Sequence, residues 1–337
     1  MYKIAVDIGG TFTDIVLTNG REAYSEKVLT TTFNPEIGAI KGIQSLLKKI
    51  GVSINEINTI IHGTTLAANS IIQRKGAKTA FITTNGFRDI LEMQYEKRFD
   101  QYNLNIELPI PLVPRDLRFT LKERCLSSGK IILKPKINEI KILAKKLISL
   151  KIEAIAIGFL HSYTNAENEL FVKNTLRKIL PPEITLCTSH QICPEVREYE
   201  RFSTTVANSF VRPLMIRYLD SLEKSLIKLG FKGKMFLISS DAGITTISQS
   251  KKFPIRLVES GPAGGVALAS YVSKSLNENK SISLDIGGTT AKICYLKNGD
   301  AIKERKFEIA RSDISKKGSG LPLKIPSIDL LEIGAGG

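Results

Sequence analysis

Two short runs in this chain hold the residue types needed to grip a polyphosphate. They read Asp7-Ile8-Gly9-Gly10-Thr11 and Asp285-Ile286-Gly287-Gly288-Thr289. A chain that turns through paired glycines lets backbone N–H groups approach an anion closely, because no Cβ stands in the way. The Thr11 and Thr289 hydroxyls can add donors to phosphate oxygens. Asp7 and Asp285 would face a Mg²⁺ ion, mostly through water, since this cation keeps part of its hydration shell. One such turn is ordinary. Two of them, each set between apolar strands, favour a shared ligand over coincidence. Competing phosphate motifs are missing: the sequence has neither Gly-x4-Gly-Lys-Ser/Thr nor a Gly-x-Gly-x-x-Gly following a strand.

The segments around these turns repeat each other. Residues 4–17, IAVDIGGTFTDIVL, and 282–296, ISLDIGGTTAKICYL, both predict strand, turn, strand. Both lead to an Asn-Gly pair, Asn19-Gly20 and Asn298-Gly299, which is a strong hairpin signal. A duplicated hairpin closing on β- and γ-phosphates from opposite sides is the mark of the actin, sugar-kinase and heat-shock-ATPase fold. Between the copies, strands alternate with helices, which predicts an α/β architecture. Asn34-Pro35-Glu36 predicts a helix start, Ile37, Ile40, Leu47 and Ile50 its apolar face, and Gly51 its end. Strands are predicted at 59–61, 78–83, 154–159, 183–188 and 234–239. Helices are predicted around 138–150, 166–180 and 198–229, the last interrupted near Pro213. Pro109, Pro111 and Pro114 mark residues 95–118 as a surface excursion. A further helix opens at Glu259-Ser260-Gly261 and runs to about Ser273.

The 337 residues are enough for two medium domains, and 42% hydrophobic with 24% charged residues is a soluble composition. No apolar run is long enough to cross a bilayer. The first strand begins beside Met1 with no secretory signal before it, so a cytoplasmic location without membrane association is expected. Cys125, Cys187, Cys193 and Cys294 form no Cys-x-x-Cys pair, and the only histidines are His62, His161 and His190, which argues against zinc. The formal charge of +15 invites a nucleic-acid partner, but the lysines are dispersed and no recognition motif accompanies them. No nucleic-acid binding is expected. His62 is read as structural, with substrate contact as the alternative. Arg197 and Arg201 are read as a surface ion-pair cluster on one helix face, with an anionic substrate or a partner subunit as the alternative. Cys193 lacks a histidine placed to activate it. Met93–Asp100 is a candidate for a substrate pocket or an interface.

The chain resembles the hydantoinase A / oxoprolinase family along essentially its whole length. In order, the resemblance is carried by MYKIAVDIGGTFTDIVL, HGTTLAANSIIQRKGAKTAFITTNGFRDILEM, CPEVREYERFSTTVANSFVRPLM, RLVESGPAGGVALA, SLDIGGTTAKI and IDLLEIGAGG. It implies a ribonuclease-H-like actin/sugar-kinase ATPase fold in two lobes. Residues 1–190 would hold the first phosphate hairpin and an insertion, and 191–337 would begin the second lobe. Residues 7–14 and 285–292 become the two phosphate motifs. By that likeness Gly9, Gly10, Thr11, Phe12 and Thr13, with Gly287, Gly288, Thr289 and Thr290, would bind ATP. Asp7 and Asp285 would be the catalytic, Mg²⁺-holding pair. Residues 259–271 would form a helix crossing between the lobes, where Gly261, Ala263, Gly264, Gly265 and Ala267 suit close packing. Lys292 stands where the first motif has Asp14, and would either contact phosphate or lie solvated beyond the turn.

The implied function is that of an ATP-dependent activating subunit. It would phosphorylate an amide or enolate oxygen of a small-molecule substrate, a cyclic amide of hydantoin or oxoproline type or a ketone, for hydrolysis or carboxylation. The expected partner is a hydantoinase B-like subunit. Family proteins continue past Gly334-Ala335-Gly336-Gly337, so the second lobe is expected to be truncated, with a separately encoded C-terminal half as a further candidate partner. The alternatives are a non-catalytic remnant or half of a split enzyme, and an actin-like ATPase of binding or chaperone type.

Overall fold

Alternating burial builds the first sheet. In strand β1 (Tyr2–Ile8) the side chains of Ile4, Val6 and Ile8 are buried while Lys3, Ala5 and Asp7 face out. Strand β2 (Phe12–Thr18) pairs antiparallel with β1 and buries Thr13, Ile15 and Leu17 on the same side. Strand β3 (Ala23–Leu29) continues the meander. Helix α1 (Pro35–Ile50) covers the buried side. Pro35 starts it without a side-chain cap from Asn34, and Gly51 ends it in the left-handed conformation at φ 73°. Its buried face is Ala39, Ile43, Leu46 and Leu47, and Ile37 is exposed. Of the expected face, Leu47 is buried and Ile40 and Ile50 are half-buried, while Ile37 is exposed; the helix comes closest to the sheet at Gly42, where a Cβ would stand 2.2 Å from Ile15 Cδ1. Strand β4 (Ile57–Thr64) then returns parallel to β1, a geometry that needs a crossover element such as α1.

An α/β insertion follows. Strands β5 (Thr79–Thr84) and β6 (Arg118–Leu121) are separated by the proline-rich excursion. Helix α2 (Ile137–Ser149), strand β7 (Ala154–Gly158), helix α3 (Glu167–Arg177) and strand β8 (Thr185–Thr188) complete a parallel sheet of order β8-β7-β5-β6. Strands β5 and β7 are buried at every position, as parallel strands covered on both faces must be. Helix α4 (Glu198–Lys228) runs through Pro213 without ending, which corrects the expected interruption. Pro213 offers no N–H to the Ser209 carbonyl, and next to it the Phe210 carbonyl accepts from the Ala77 N–H at 2.9 Å.

Strand β9 (Lys234–Ile238) returns to the first sheet beside β4, and β10 (Ile244–Thr246) pairs on its outer edge. Helix α5 (Ser260–Ser275) leads to the second hairpin, strands β11 (Lys280–Ile286) and β12 (Ala291–Lys297). The Asn298-Gly299 turn follows with both residues at positive φ, 53° and 74°, as the sequence predicted. Strand β13 (Leu331–Ile333) adds antiparallel to β12. The computed structural model describes residues 1–31, 34–286, 291–313 and 316–333.

The first sheet has the order β10-β9-β4-β1-β2-β3, with an antiparallel β1-β2-β3 meander and β4 and β9 added in parallel on the other side of β1. This is the ribonuclease-H-like α/β fold of the actin and sugar-kinase ATPases. Contacts divide the chain into two compact units, Met1–Ser70 with Leu214–Arg305 and Pro326–Gly337, and Ile71–Pro213 with Lys306–Ile325. Both hairpins belong to the first unit, and residue 190 lies inside the second.

Strands β4 and β9 meet at Gly233, where a Cβ would stand 2.4 Å from the Asn58 carbonyl oxygen. Gly233→Ala should therefore lower stability by roughly 1–3 kcal/mol, the usual range for forced overpacking. Thermal unfolding reads the effect, and an unchanged midpoint would contradict this close approach.

Candidate nucleotide-binding site

The parallel strands β1, β4 and β9 all finish at one edge of the sheet, the carboxyl edge where open α/β sheets bind ligands. Asp7 sits at that edge opposite Gly63, and Ile8 opposite Thr64. The turn after β1 is closed by the Gly9 N–H donating to the Phe12 carbonyl at 2.9 Å. The Thr30 N–H donates to the Thr11 carbonyl (2.9 Å), and the Thr30 hydroxyl to that of Gly9 (3.0 Å). These bonds fix the loop from below and leave Gly10, Thr11 and Phe12 exposed. Thr13 is turned inward, fully buried, with its hydroxyl 3.0 Å from that of Thr30.

The Asp7 carboxylate lies in a niche between two glycines. A Cβ on Gly63 would stand 2.8 Å from Asp7 Oδ1, and one on Gly261 would stand 3.6 Å from both carboxylate oxygens. Asp7 keeps solvent contact at the sheet edge, yet the protein packed around it penalises its charge and raises its pKa. Repulsion from Asp14 and then from Asp285 adds to the rise, and Lys27 opposes it. Asp285 is thus near enough to act on Asp7, although almost the whole chain separates them. Asp14 is itself paired with Lys27 at 2.8 Å. Among the described residues nothing donates a hydrogen bond to the Asp7 carboxylate, and no group of three or more His, Cys, Asp and Glu side chains is arranged to hold a metal alone. Gly287, Gly288, Thr289 and Thr290 lie outside the described residues.

Helix α5 is tied to this edge. The Ser260 hydroxyl donates to the Thr64 carbonyl (2.9 Å) and accepts from the Thr64 N–H (3.1 Å). Glu259, just before the helix, is held in the left-handed conformation at φ 62° and pairs with Lys292 of β12. Lys292 is therefore an internal link between α5 and the second hairpin and does not lie solvated beyond the turn. Beyond the end of β9, an open recess of about 390 Å³ is lined by Ser239, Asp241, Thr245, Gln249, Ser250 and Arg256, among others.

Residues 3–180 match the family model for the hydantoinase/oxoprolinase N-terminal region, and residues 201–337 match that for hydantoinase/oxoprolinase. The chain belongs to the hydantoinase/oxoprolinase family. It is 37% identical to an uncharacterized protein of Methanocaldococcus jannaschii, with 100% of this chain and 50% of that protein covered. It is 30% identical to 5-oxoprolinase of Saccharomyces cerevisiae, with 99% of this chain and 28% of that protein covered. The solved structure of ATP-dependent caprolactamase from Pseudomonas jessenii matches with a TM-score of 0.88 at 26% identity, over 99% of this chain and 48% of that one. The chain thus spans half or less of the length of these relatives.

Other candidate residues of this hydantoinase/oxoprolinase chain are engaged structurally. His62 is buried; its Nδ1–H donates to the Val6 carbonyl (3.1 Å), which leaves Nε2 to accept from the Tyr218 hydroxyl (2.6 Å). Burial lowers its pKa to about 4. Arg201 is buried as well, with Nη2 donating to the Phe159 carbonyl at 2.7 Å and its plane over Tyr163 and Phe202. It is no surface ion-pair residue, and Arg197 precedes the helix at φ 79°. The Cys193 thiol is buried, its pKa pushed up to about 11 mainly by that burial, so it is no ready nucleophile. In the Met93–Asp100 run, Tyr95 packs edge-on against Tyr199 and donates to Glu200 at 2.9 Å, and Asp100 pairs with Lys316 at 2.5 Å. Among the described residues no helix is long and apolar enough to cross a membrane.

The sequence reading missed the Gly63–Gly261 niche and the Glu259–Lys292 link. His62-Gly63-Thr64-Thr65 after a strand was the available signal for Gly63. Gly261 was read as a packing glycine, and nothing local to it points at Asp7.

The buried neutral His62 sets a pH dependence. The unfolded chain protonates it near pH 6.5 and the folded chain only near pH 4, so its contribution is complete above 6.5 and lost as pH falls toward 4. The slope over that window is up to about 1.4 kcal/mol per pH unit. His62→Gln should flatten this part of the stability curve in urea unfolding. A variant curve parallel to the wild-type curve would contradict a buried neutral ring.

Proposed function

We propose that this chain is the nucleotide-binding part of an ATP-dependent enzyme that activates an amide or enolate oxygen by phosphorylation. The observation that carries the reading is Asp7 in its glycine niche, with the acid of the second hairpin close enough to raise its pKa. Such a carboxylate is costly in the folded protein and is relieved by a cation. A hydrated Mg²⁺ fits these residues: the ion needs one or two carboxylates plus water and phosphate oxygens, which suits Asp7 and Asp285 better than a site built wholly from protein ligands. When bound, it would neutralise charge on the phosphoryl group under transfer.

The chain's own residues then divide the work. The exposed backbone of Gly9, Gly10 and Thr11, with Phe12 beside it, would cradle phosphate oxygens. Thr13 would act by position, its side chain anchoring the loop to Thr30. Gly287, Gly288, Thr289 and Thr290 are assigned the matching role on the other side. Asp7 and Asp285 would hold the cation, mostly through water. In the reaction a bond forms from the acceptor oxygen to the γ-phosphorus, the bond from that phosphorus to the β,γ-bridging oxygen breaks, and ADP leaves. An amide oxygen is a poor leaving group until it carries that phosphoryl group. The recess beside Asp241 and Arg256 lies past the end of β9, at the carboxyl edge shared with Asp7 and Gly63, and is proposed to receive the acceptor. Hydrolysis or carboxylation of the activated cyclic amide or ketone would follow with a hydantoinase B-like subunit.

Removing the Asp7 charge separates this reading from a structural one. Asp7→Asn should weaken Mg²⁺-dependent ATP binding at least about tenfold, or roughly 1.4 kcal/mol, in calorimetry on the enzyme containing this chain. The same variant should raise the unfolding temperature at pH 7, because a carboxylate with a raised pKa destabilises the fold once ionised. Unchanged ATP affinity would overturn the assignment. Gly63→Ala, whose Cβ would stand 2.8 Å from Asp7 Oδ1, should weaken binding more than Gly261→Ala, whose Cβ makes an ordinary 3.6 Å contact. Equal effects would contradict the niche.

A further inference from the structure

Strand register places a row of charges beside the first glycine turn. Asp7 of β1 lies opposite Asp14 of β2, and Asp14 lies opposite Lys27 of β3. Residues directly opposite each other in a sheet point to the same face, so the three side chains stand in line on the side away from α1. On the other flank of Asp7 comes Gly63 of β4, which adds no side chain. The Lys27 ammonium meets Asp14 Oδ1 at 2.8 Å and stands 5.2 Å from the centre of the Phe12 ring. It is thereby held next to the residue whose carbonyl closes the turn.

The second hairpin carries the same kinds of charge in another order. Asp285 of β11 lies opposite Lys292 of β12, and Lys292 opposite Glu332 of β13. Each phosphate motif therefore has its own acid, a second acid and one lysine in a single row across the strands. The lysine of the second row is engaged by Glu259 and its side chain is 17% exposed, whereas that of Lys27 is 59% exposed. An ammonium has three N–H donors. Asp14 takes one of those on Lys27, and among the described residues no other side chain takes the rest. An exposed ion pair of this kind contributes little to stability. It matters more as charge: two acids beside a turn that receives a polyphosphate repel it, and Asp14 is paired with Lys27. Burial, then Asp14 and Asp285, raise the pKa of Asp7, and Lys27 is close enough to oppose them.

We propose that Lys27 is a triphosphate-binding residue: while Asp14 holds it at the turn, its ammonium donates to a non-bridging oxygen of the phosphoryl group lying against Gly9, Gly10 and Thr11. Asp14 is the positioning residue of the pair, setting a long, flexible lysine stem in one direction. The contact offsets negative charge on the phosphoryl oxygens during transfer. This role rests on the nucleotide-binding reading and adds a contact that neither glycine turn supplies.

ATP calorimetry on the enzyme containing this chain tests the contact. Lys27→Gln should weaken Mg²⁺-dependent ATP binding at least about tenfold, and Lys27→Arg, which keeps the charge, should recover most of the loss. Unfolding midpoints of both variants should stay within about two degrees of the parent, since the pair is exposed. The double variant Asp14→Asn with Lys27→Gln separates contact from charge balance. If Lys27 touches phosphate, the double variant stays well below the parent in affinity. If Lys27 only offsets Asp14, removing both restores parental affinity, and the proposal fails. It also fails if Lys27→Gln binds ATP as the parent does while Asp7→Asn does not, a result that leaves the nucleotide site standing. Loss of binding with a large fall in midpoint and no rescue by Lys27→Arg would make the pair structural instead. A parent that binds no ATP would remove both readings.

Discussion

The candidate site is built around a carboxylate that the fold carries at a cost, because burial and neighbouring acids raise its pKa. Asp7 ends the central strand of a sheet, with Asp14 across the hairpin and Asp285 contributed by a distant segment. Gly63 and Gly261 leave the space that the carboxylate fills, and the Ser260–Thr64 bonds hold the helix carrying Gly261 against β4. A hydrophobic core alone would not call for this arrangement. The proposed cation and polyphosphate site would, because the repulsion that raises the pKa of Asp7 is the same property that favours a divalent ion.

The surrounding structure is arranged to keep that edge in place without taking part in it. His62, next to Gly63, is buried, neutral and bonded at both ring nitrogens, so it pins β4 between Val6 and Tyr218. Lys292 binds Glu259 and thereby joins the second hairpin to the start of α5. The inserted unit has its own core around Phe81, Ile157 and Phe202 and its own parallel sheet.

Much of the frame was legible in the sequence because the signals are local. A strand followed by paired glycines and a second strand needs only neighbouring residues to specify it, and the Asn298-Gly299 turn adopted the backbone its residues favour. The parallel strand β7 showed as an unbroken apolar run, Ala154-Ile155-Ala156-Ile157. Features set by distant partners were not legible. The face of α1 is set by the close approach of Gly42 to Ile15 and Val28 of the sheet, which leaves Ile37 exposed while Leu47 is buried as its periodicity suggests. Pro213 reads as an interruption of the helix, yet α4 runs through it without a break. Arg201 looks like a surface residue until Phe159, Tyr163 and Phe202 close over it. The niche around Asp7 draws on three separate segments, and no single one announces it.

The claim at the centre is that two acids from opposite ends of the chain serve one bound triphosphate. A double-mutant cycle on Mg²⁺-dependent ATP affinity, using Asp7→Asn and Asp285→Asn, tests it most directly. Residues that act on the same ion should be strongly non-additive, with a coupling of about 1 kcal/mol or more and the double variant scarcely worse than either single one. Strictly additive losses, or an Asp285→Asn variant that binds ATP as well as the parent, would show that the two hairpins do not share a ligand.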